Sequence, residues 1–576
     1  MYVCFFRNYL VRLILNKMEE DLVVITPQGK LIGTKTTTVL FKTPCYSFCG
    51  IPYAKPPVDA LRFMPPEPFG KWRGVLNATK ERDDCLQFSQ FYKIIVGSED
   101  CLYLNVHTLE PPCKTKTLKA VIVLIHPGGN FWGSGSRECL GNPDFIVPQD
   151  IVFVTFNYRL HAFGFLNLGI PQCSGNMGLK DQVMALKWVK ENISCFGGDP
   201  NNVTLAGTSS GACDVHFHTM SSLSKGFFHK VIMQSGYAGN ANWSYITPES
   251  SYERAILLAE EMGYRGGTSA RKLCTFFKSK SAIEITDAVG RLKRHIKTSN
   301  PEKYDVCQFL PSVEIESENA FFTASPRELM FTVEPIPMIC SIAEKEGLFA
   351  FCTKPEELIR SNLEKVIKDA LSLHTIDDGT VKYMAQRIRS FYFNDKEINT
   401  DMLDDIVNMY TDLWYCEWYE MLNYMATLPA AQPVYVYEFK FCGKFNYQRA
   451  GFAKYAPQSL KGACHADDGS YFTYYKAMSD LTRNPTIFKE REIRVIKNLN
   501  ILLANFAKTG NPNGGTLDEI EWKPHHPNNP SHLKFDEHLT IVNSRINEER
   551  YQFWDEIIKI MRNSEKRIAN NLNPKM

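Results

Sequence analysis

Short apolar runs rich in β-branched residues recur along the chain: AVIVLIHP from Ala120, IVFVTFNY from Ile151, VTLAG from Val203, VIMQSG from Val231 and PVYVYEF from Pro433. They are nearly continuous rather than alternating, which is the pattern of strands buried on both faces. Between the second and third runs, LKDQVMALKWVKENI sets Val183, Leu186, Val189 and Ile193 on one side of a helical repeat, so a crossover helix is predicted there. Strand runs alternating with helical segments predict an α/β fold, a large, mostly parallel central sheet flanked by helices. Reactive side chains of such a sheet collect in the loops that leave the C-terminal ends of its strands.

Composition narrows the class without changing that picture. The chain has 576 residues, 44% hydrophobic and 22% charged, enough to bury a large core. No Gly/Ser-rich or Pro-rich linker interrupts it. One domain is expected over residues 19–565, with an N-terminal extension at 1–18 and a polar tail at 566–576. Net charge is +2, and no concentrated basic face accompanies aromatic platforms, so a nucleic-acid partner is not expected. In the N-terminal MYVCFFRNYLVRLILNK, Arg7 and Arg12 break the apolar run, and an amphipathic extension is expected rather than a signal peptide or membrane span, with Met18 an alternative start. The C-terminal NNLNPKM offers no hydrophobic anchor, and no membrane anchor is expected.

Seventeen cysteines without C-x-x-C pairing argue against a zinc site and a full disulfide framework, and most are expected to be buried thiols. Glycosylation triplets begin at Asn77, Asn192, Asn202 and Asn242. A cytoplasmic location is expected, with secretion as the alternative that used sequons or a disulfide would favour.

The candidate chemistry lies in FGGDPNNVTLAGTSSG, Phe196 to Gly211, where a G-x-S-x-G core follows an apolar strand run. A sharp strand-to-helix turn there would present Ser209 as a nucleophile, with Gly207 and Gly211 removing the Cβ atoms that would collide. Taken alone, the pattern is matched about as often by an ordinary turn.

Together with the serine signature, the segment EDCLYLN from Glu99, GIPYAKPP from Gly50, NYRL from Asn157 and FAKTGNPN from Phe506 make the chain resemble the type-B carboxylesterase family of α/β-hydrolases. It is most similar to insect α-esterases through GLKDQVMALKWVKENI and the region around Glu346. The resemblance implies a serine carboxylesterase that hydrolyses small-molecule esters through an acyl-enzyme, with no cofactor. It implies His465, in GACHADD, as the general base and Glu346, in AEKEGLF, as the acid that orients it, with Glu344 the competing carboxylate. The order Ser209, Glu346, His465 is the order this fold uses.

By the same resemblance the oxyanion hole is formed by the N–H groups of Gly128, Gly129 and Ser210, Cys85 pairs with Cys101, and Trp243 lines the substrate pocket. Three positions depart from the family pattern. Pro127 and Asn130 stand where a glycine and an aromatic residue are usual, and Thr208 replaces an acid before the serine. The loss of that charge is expected to alter deacylation. Asp214 is expected to face solvent and not to compensate. Xenobiotic or lipid-derived esters are the expected substrates; a slow-turnover sequestering protein for esters or organophosphates and a juvenile-hormone-type esterase are the alternatives. An acetylcholine-specific enzyme is disfavoured, because the 85–101 loop has Phe88, Phe91 and Tyr92 but no tryptophan. Oligomeric state is not indicated by the sequence.

Overall fold

The apolar runs become the centre of an eleven-stranded mixed sheet. In chain order its strands are β1 (Thr34–Thr37), β2 (Pro44–Pro52), β3 (Tyr103–Thr108), β4 (Lys119–Ile125), β5 (Val152–Phe156), β6 (Gly198–Thr208), β7 (Lys230–Gln234), β8 (Met338–Ala343), β9 (Val434–Phe439), β10 (His532–Phe535) and β11 (Thr540–Val542). They lie side by side as 11-10-9-8-7-6-4-5-3-2-1. From β5 to β10 every pairing is parallel, while β1, β2, β3 and β11 pair antiparallel at the two edges. The computed structural model describes residues 22–90, 92–239, 244–299, 309–352, 354–371, 376–475, 488–514 and 520–572.

Successive residues of one strand feed different cores, as the two-residue period of a strand requires. Val121, Val123 and Ile125 of β4 join the core that holds α1 (Met177–Asn192) and α2 (Ser210–Met220), whereas Ala120, Ile122 and Leu124 join the core under α3 (Glu490–Thr509). The runs look apolar throughout because both faces are covered. The crossover helix is α1, but its buried surface is wider than the predicted stripe. Lys180, Asp181 and Gln182 are buried along with Leu186 and Val189, while Val183 is only half-buried. Polar residues are tolerated there because each has a partner: Asp181 takes a bidentate Arg159 at 2.7 and 2.8 Å. Two of the segments that carry the family resemblance thus meet in the interior.

Cys85 and Cys101 are disulfide-bonded, and most of the free cysteines are buried. Asn192 is buried, with Nδ2 donating to the Trp188 carbonyl, so its sequon cannot carry a glycan in this fold, whereas Asn77 is exposed. Asn242 and residues 1–18 lie outside the described residues. No helix among the described residues is long and apolar enough to cross a membrane. The last helix runs from Glu548 to Leu572.

Candidate active site

Strands β4 and β6 are parallel neighbours, with Ile125 opposite Gly207. The chain leaves both at the same height, so the loop after β4 and the turn after β6 face each other where the winding of the sheet reverses. That crevice is where α/β sheets bind ligands.

At the end of β6, Ser209 adopts φ 56° and ψ −125°, a strained conformation for a residue with a side chain. The surroundings hold it there. Its N–H donates to the Gln234 carbonyl on β7 at 2.8 Å, and α2 starts at the next residue. The helix packs so close that a Cβ on Gly207 would lie 2.3 Å from the Gly211 carbonyl, and one on Gly211 would lie 2.3 Å from the Ile125 carbonyl. The two glycines of the motif are therefore needed for contact between helix and sheet as much as for the turn.

The structure brings Ser209, His465 and Glu346 together. Ser209 Oγ is 2.7 Å from His465 Nε2, and His465 Nδ1 is 2.6 Å from Glu346 Oε2. Glu346 follows β8, is fully buried, and accepts the Ala343 N–H through Oε1 at 2.7 Å. With its second oxygen on Nδ1, the imidazole holds its proton on that side and leaves Nε2 to accept from the serine hydroxyl. Glu344 turns away to Lys440, 2.6 Å from its Nζ, which separates the two candidate acids. His465 is carried on the loop after β9, which is tied to the acid's loop by the Lys345 N–H to Ala463 carbonyl bond at 3.0 Å. Phe349 lies edge-on to the His465 ring, with centroids 5.3 Å apart.

The loop after β4 carries Gly128 and Gly129 opposite the start of α2. The Gly129 and Asn130 N–H groups donate to Ser210 Oγ at 2.8 and 3.3 Å, so the side chain of Ser210, and not only its backbone, belongs to this corner. Asn130 holds φ 55° and is buried. Its Oδ1 accepts from Tyr158 OH at 3.1 Å and its Nδ2 donates to Asp214 Oδ1 at 3.0 Å. Pro127 leaves its carbonyl 2.8 Å from His126 Nδ1. The His126 ring is stacked on Tyr158, and burial lowers its pKa to about 4, so it is neutral near pH 7.

Asp214 does not face solvent, contrary to the sequence-based expectation. Every residue of α2 from Ser210 to His218 is buried, because the helix is enclosed and has no outer face over that stretch. Burial raises the Asp214 carboxyl to about 7, partly offset by its bonds from Asn130 and from Gln182 Nε2, the latter at 2.7 Å.

A second buried carboxyl was not anticipated. Asp468, three residues past His465, accepts from Ser341 Oγ at 2.6 Å and Tyr437 OH at 2.8 Å, and burial raises it to about 6. Tyr437 also accepts from Gln234 Nε2 at 2.7 Å, and Gln234 Oε1 accepts from Thr208 Oγ1 at 3.0 Å. Thr208, the residue before Ser209, is thus neutral, but it ends a hydrogen-bonded chain that leads to a carboxyl on the histidine loop. The HADD run was the only sequence signal for Asp468. Trp243 lies outside the described residues.

Comparison with known proteins agrees with this geometry. The model of the family described as "Carboxylesterase family" matches residues 20–554. Esterase E4 of Myzus persicae is 34% identical over 490 residues, covering 83% of this chain and 84% of that protein. Juvenile hormone esterase of Tribolium castaneum is 32% identical over 526 residues, covering 85% of each. The crystal structure of juvenile hormone esterase from Manduca sexta, with OTFP covalently attached, superimposes with a TM-score of 0.80 at 25% identity, covering 93% of this chain and 99% of that one. The chain belongs to the carboxylesterase family, has the α/β-hydrolase fold and is a carboxylic ester hydrolase.

Proposed function

We propose that Ser209 is the nucleophile of this esterase, that His465 is its general base and then acid, and that Glu346 orients the imidazole. The observation that carries the reading is the hydrogen-bonded line from Ser209 Oγ through both nitrogens of His465 to a buried Glu346. Ser209 attacks the ester carbonyl as its proton passes to Nε2. The alcohol leaves with that proton, and water repeats the sequence on the acyl-enzyme. Negative charge on the carbonyl oxygen is met by the N–H groups of Gly128, Gly129 and Ser210, each worth about 3 to 4 kcal/mol by analogy with other hydrolases. The substrates are esters of apolar acids, xenobiotic or lipid-derived. Phe349 beside His465, with Trp414 behind it at a centroid distance of 5.9 Å, supports an apolar wall at the reacting centre.

One observation favours a second reading, a slow-turnover sequestering protein. The Gly129 N–H is already engaged by Ser210 Oγ, so a carbonyl oxygen has to compete for that donor. The decisive test is stopped-flow hydrolysis of p-nitrophenyl acetate, butyrate and hexanoate by the wild type and by Ser209→Ala. A Ser209-dependent burst followed by steady release supports the esterase. A burst without turnover supports sequestration, and neither phase with any chain length rejects the assignment of Ser209.

A further inference from the structure

Helix α2 grips the loop after β4 at two points one helical turn apart. Ser210 Oγ accepts the Gly129 and Asn130 N–H groups, and Asp214 Oδ1 accepts Asn130 Nδ2. Residues four apart share a face of a helix, so both contacts fall on the side that carries the nucleophile turn. Asn130 is therefore not simply a substitute for an aromatic residue. It makes the loop answerable to α2.

The network has a direction. Both oxygens of Asp214 accept from amide N–H groups, Asn130 Nδ2 at 3.0 Å and Gln182 Nε2 at 2.7 Å. Each amide oxygen faces an outer partner: that of Asn130 faces Tyr158 OH, whose proton is shared with the His126 carbonyl at 3.0 Å, and that of Gln182 faces His218 Nε2, 2.8 Å away. In this arrangement both amides present an N–H to Asp214, which is what a carboxylate accepts. The arrangement fits Asp214 as a carboxylate, and a protonated Asp214 would require one amide to reverse. The ionisable groups around it are Tyr158 from the segment after β5, Cys213 on its own helix and, beyond Gln182, His218; no lysine or arginine shifts its titration.

We infer that Asp214 is a positioning residue for the oxyanion loop: acting through Asn130, its carboxylate holds the Gly128–Asn130 backbone in register with Ser209. The inference rests on the ester-hydrolysing assignment of Ser209 and of the glycine N–H donors. Protonating Asp214 forces one of its two amides to reverse, and where Asn130 is the one that reverses, the tie between the loop and the nucleophile turn is rearranged. Stability moves the other way. The folded-state pKa, about 7, lies above the ordinary 3.8, so the folded protein binds the extra proton, and this group's contribution to stability rises as pH falls from about 7 to about 4.

The test compares wild type, Asp214→Asn, Asp214→Ala, Asn130→Ala and the Asp214→Ala/Asn130→Ala double variant, recording kcat and KM for p-nitrophenyl butyrate and Tm from pH 5 to 9. Each single variant is expected to lose roughly 10- to 100-fold in kcat with KM within about twofold, the scale of a small misplacement of reacting groups. The double variant should lose no more than the worse single one, because the two residues act as a unit. The acid limb of kcat/KM should be steeper in the wild type than in Asp214→Asn, since two groups must lose protons instead of one. Asp214→Asn should also lose the wild type's gain in Tm at low pH; in the wild type kcat/KM falls over the range in which Tm rises, and this divergence, absent from Asp214→Asn, is what a purely structural role would not produce. Should Asp214→Ala not fold, Asp214→Asn and Asn130→Ala carry the same comparison. Variants with wild-type kcat and an unchanged acid limb, or additive losses in the double variant, overturn the inference alone. A wild type without Ser209-dependent turnover overturns the underlying assignment as well.

Discussion

At the residue scale, the site works by fixing where each proton and each lone pair can go. Glu346 shows this most directly. Its Oε1 is held by the Ala343 N–H and its Oε2 by His465 Nδ1, so the carboxylate can neither rotate nor be replaced by a donor. Glu346→Gln keeps the volume but offers the imidazole an amide that can donate as well as accept, which favours the wrong tautomer. We expect kcat to fall by about 10⁴-fold, the loss seen when a triad carboxylate becomes an amide. KM should stay near the wild-type value, and circular dichroism should show an unchanged fold. A loss below tenfold in steady-state hydrolysis would mean that Glu346 does not orient the base.

At the scale of elements, the site is a product of close approach between α2 and the sheet. Gly211 brings the helix against the Ile125 carbonyl, and that contact sets the distance between the Ser209 turn and the loop after β4. Gly211→Ala adds a Cβ 2.3 Å from that backbone oxygen, so the helix has to move outward. Overpacking of this kind costs about 1–3 kcal/mol or more. The expected result is a lower urea midpoint together with loss of turnover, even though Ser209, His465 and Glu346 are all still present. Retention of both in Gly211→Ala would show that the helix can shift without disturbing the chemistry. The fold was legible at this scale because β4 to β9 are buried on both faces and so read as continuous apolar runs. The full burial of α2 was not, since it leaves no periodic signal. Asp214 sits in a helix with no exposed side over its first nine residues, where a polar residue ordinarily marks an outer face.

At the scale of the whole molecule, the Cys85–Cys101 bond, with a sequence separation of 16, closes the loop in which Gln87–Phe88 pairs antiparallel with Ile95–Val96. The chain-entropy model assigns such a bridge about 3 kcal/mol. Cys85→Ser/Cys101→Ser should therefore inactivate at a lower temperature than the wild type. Reducing agent should lower the inactivation temperature of the wild type toward that of the variant and leave the variant unchanged. An equal inactivation temperature for the two oxidised proteins would show that packing alone holds this loop. Four segments far apart in the chain supply the site, the loop after β4, the turn after β6 and the loops after β8 and β9, and the last two are tied by the Lys345 N–H to Ala463 carbonyl bond.

The sequence by itself determined the succession of buried strand runs, the crossover helix and the serine turn, because each rests on local chemistry, while His465 and Glu346 came from the resemblance of their motifs to the family's. Hydrophobic runs report burial, glycines report a forced turn, and short motifs report side chains presented by one loop. Only the tertiary structure decided that Ser210 Oγ caps the Gly129 N–H and that Asp214, Asn130 and Gln182 form one buried network. These are relations between atoms on elements separated by tens of residues. Buried polar groups must find partners wherever packing places them, and no periodicity along the chain records where that is.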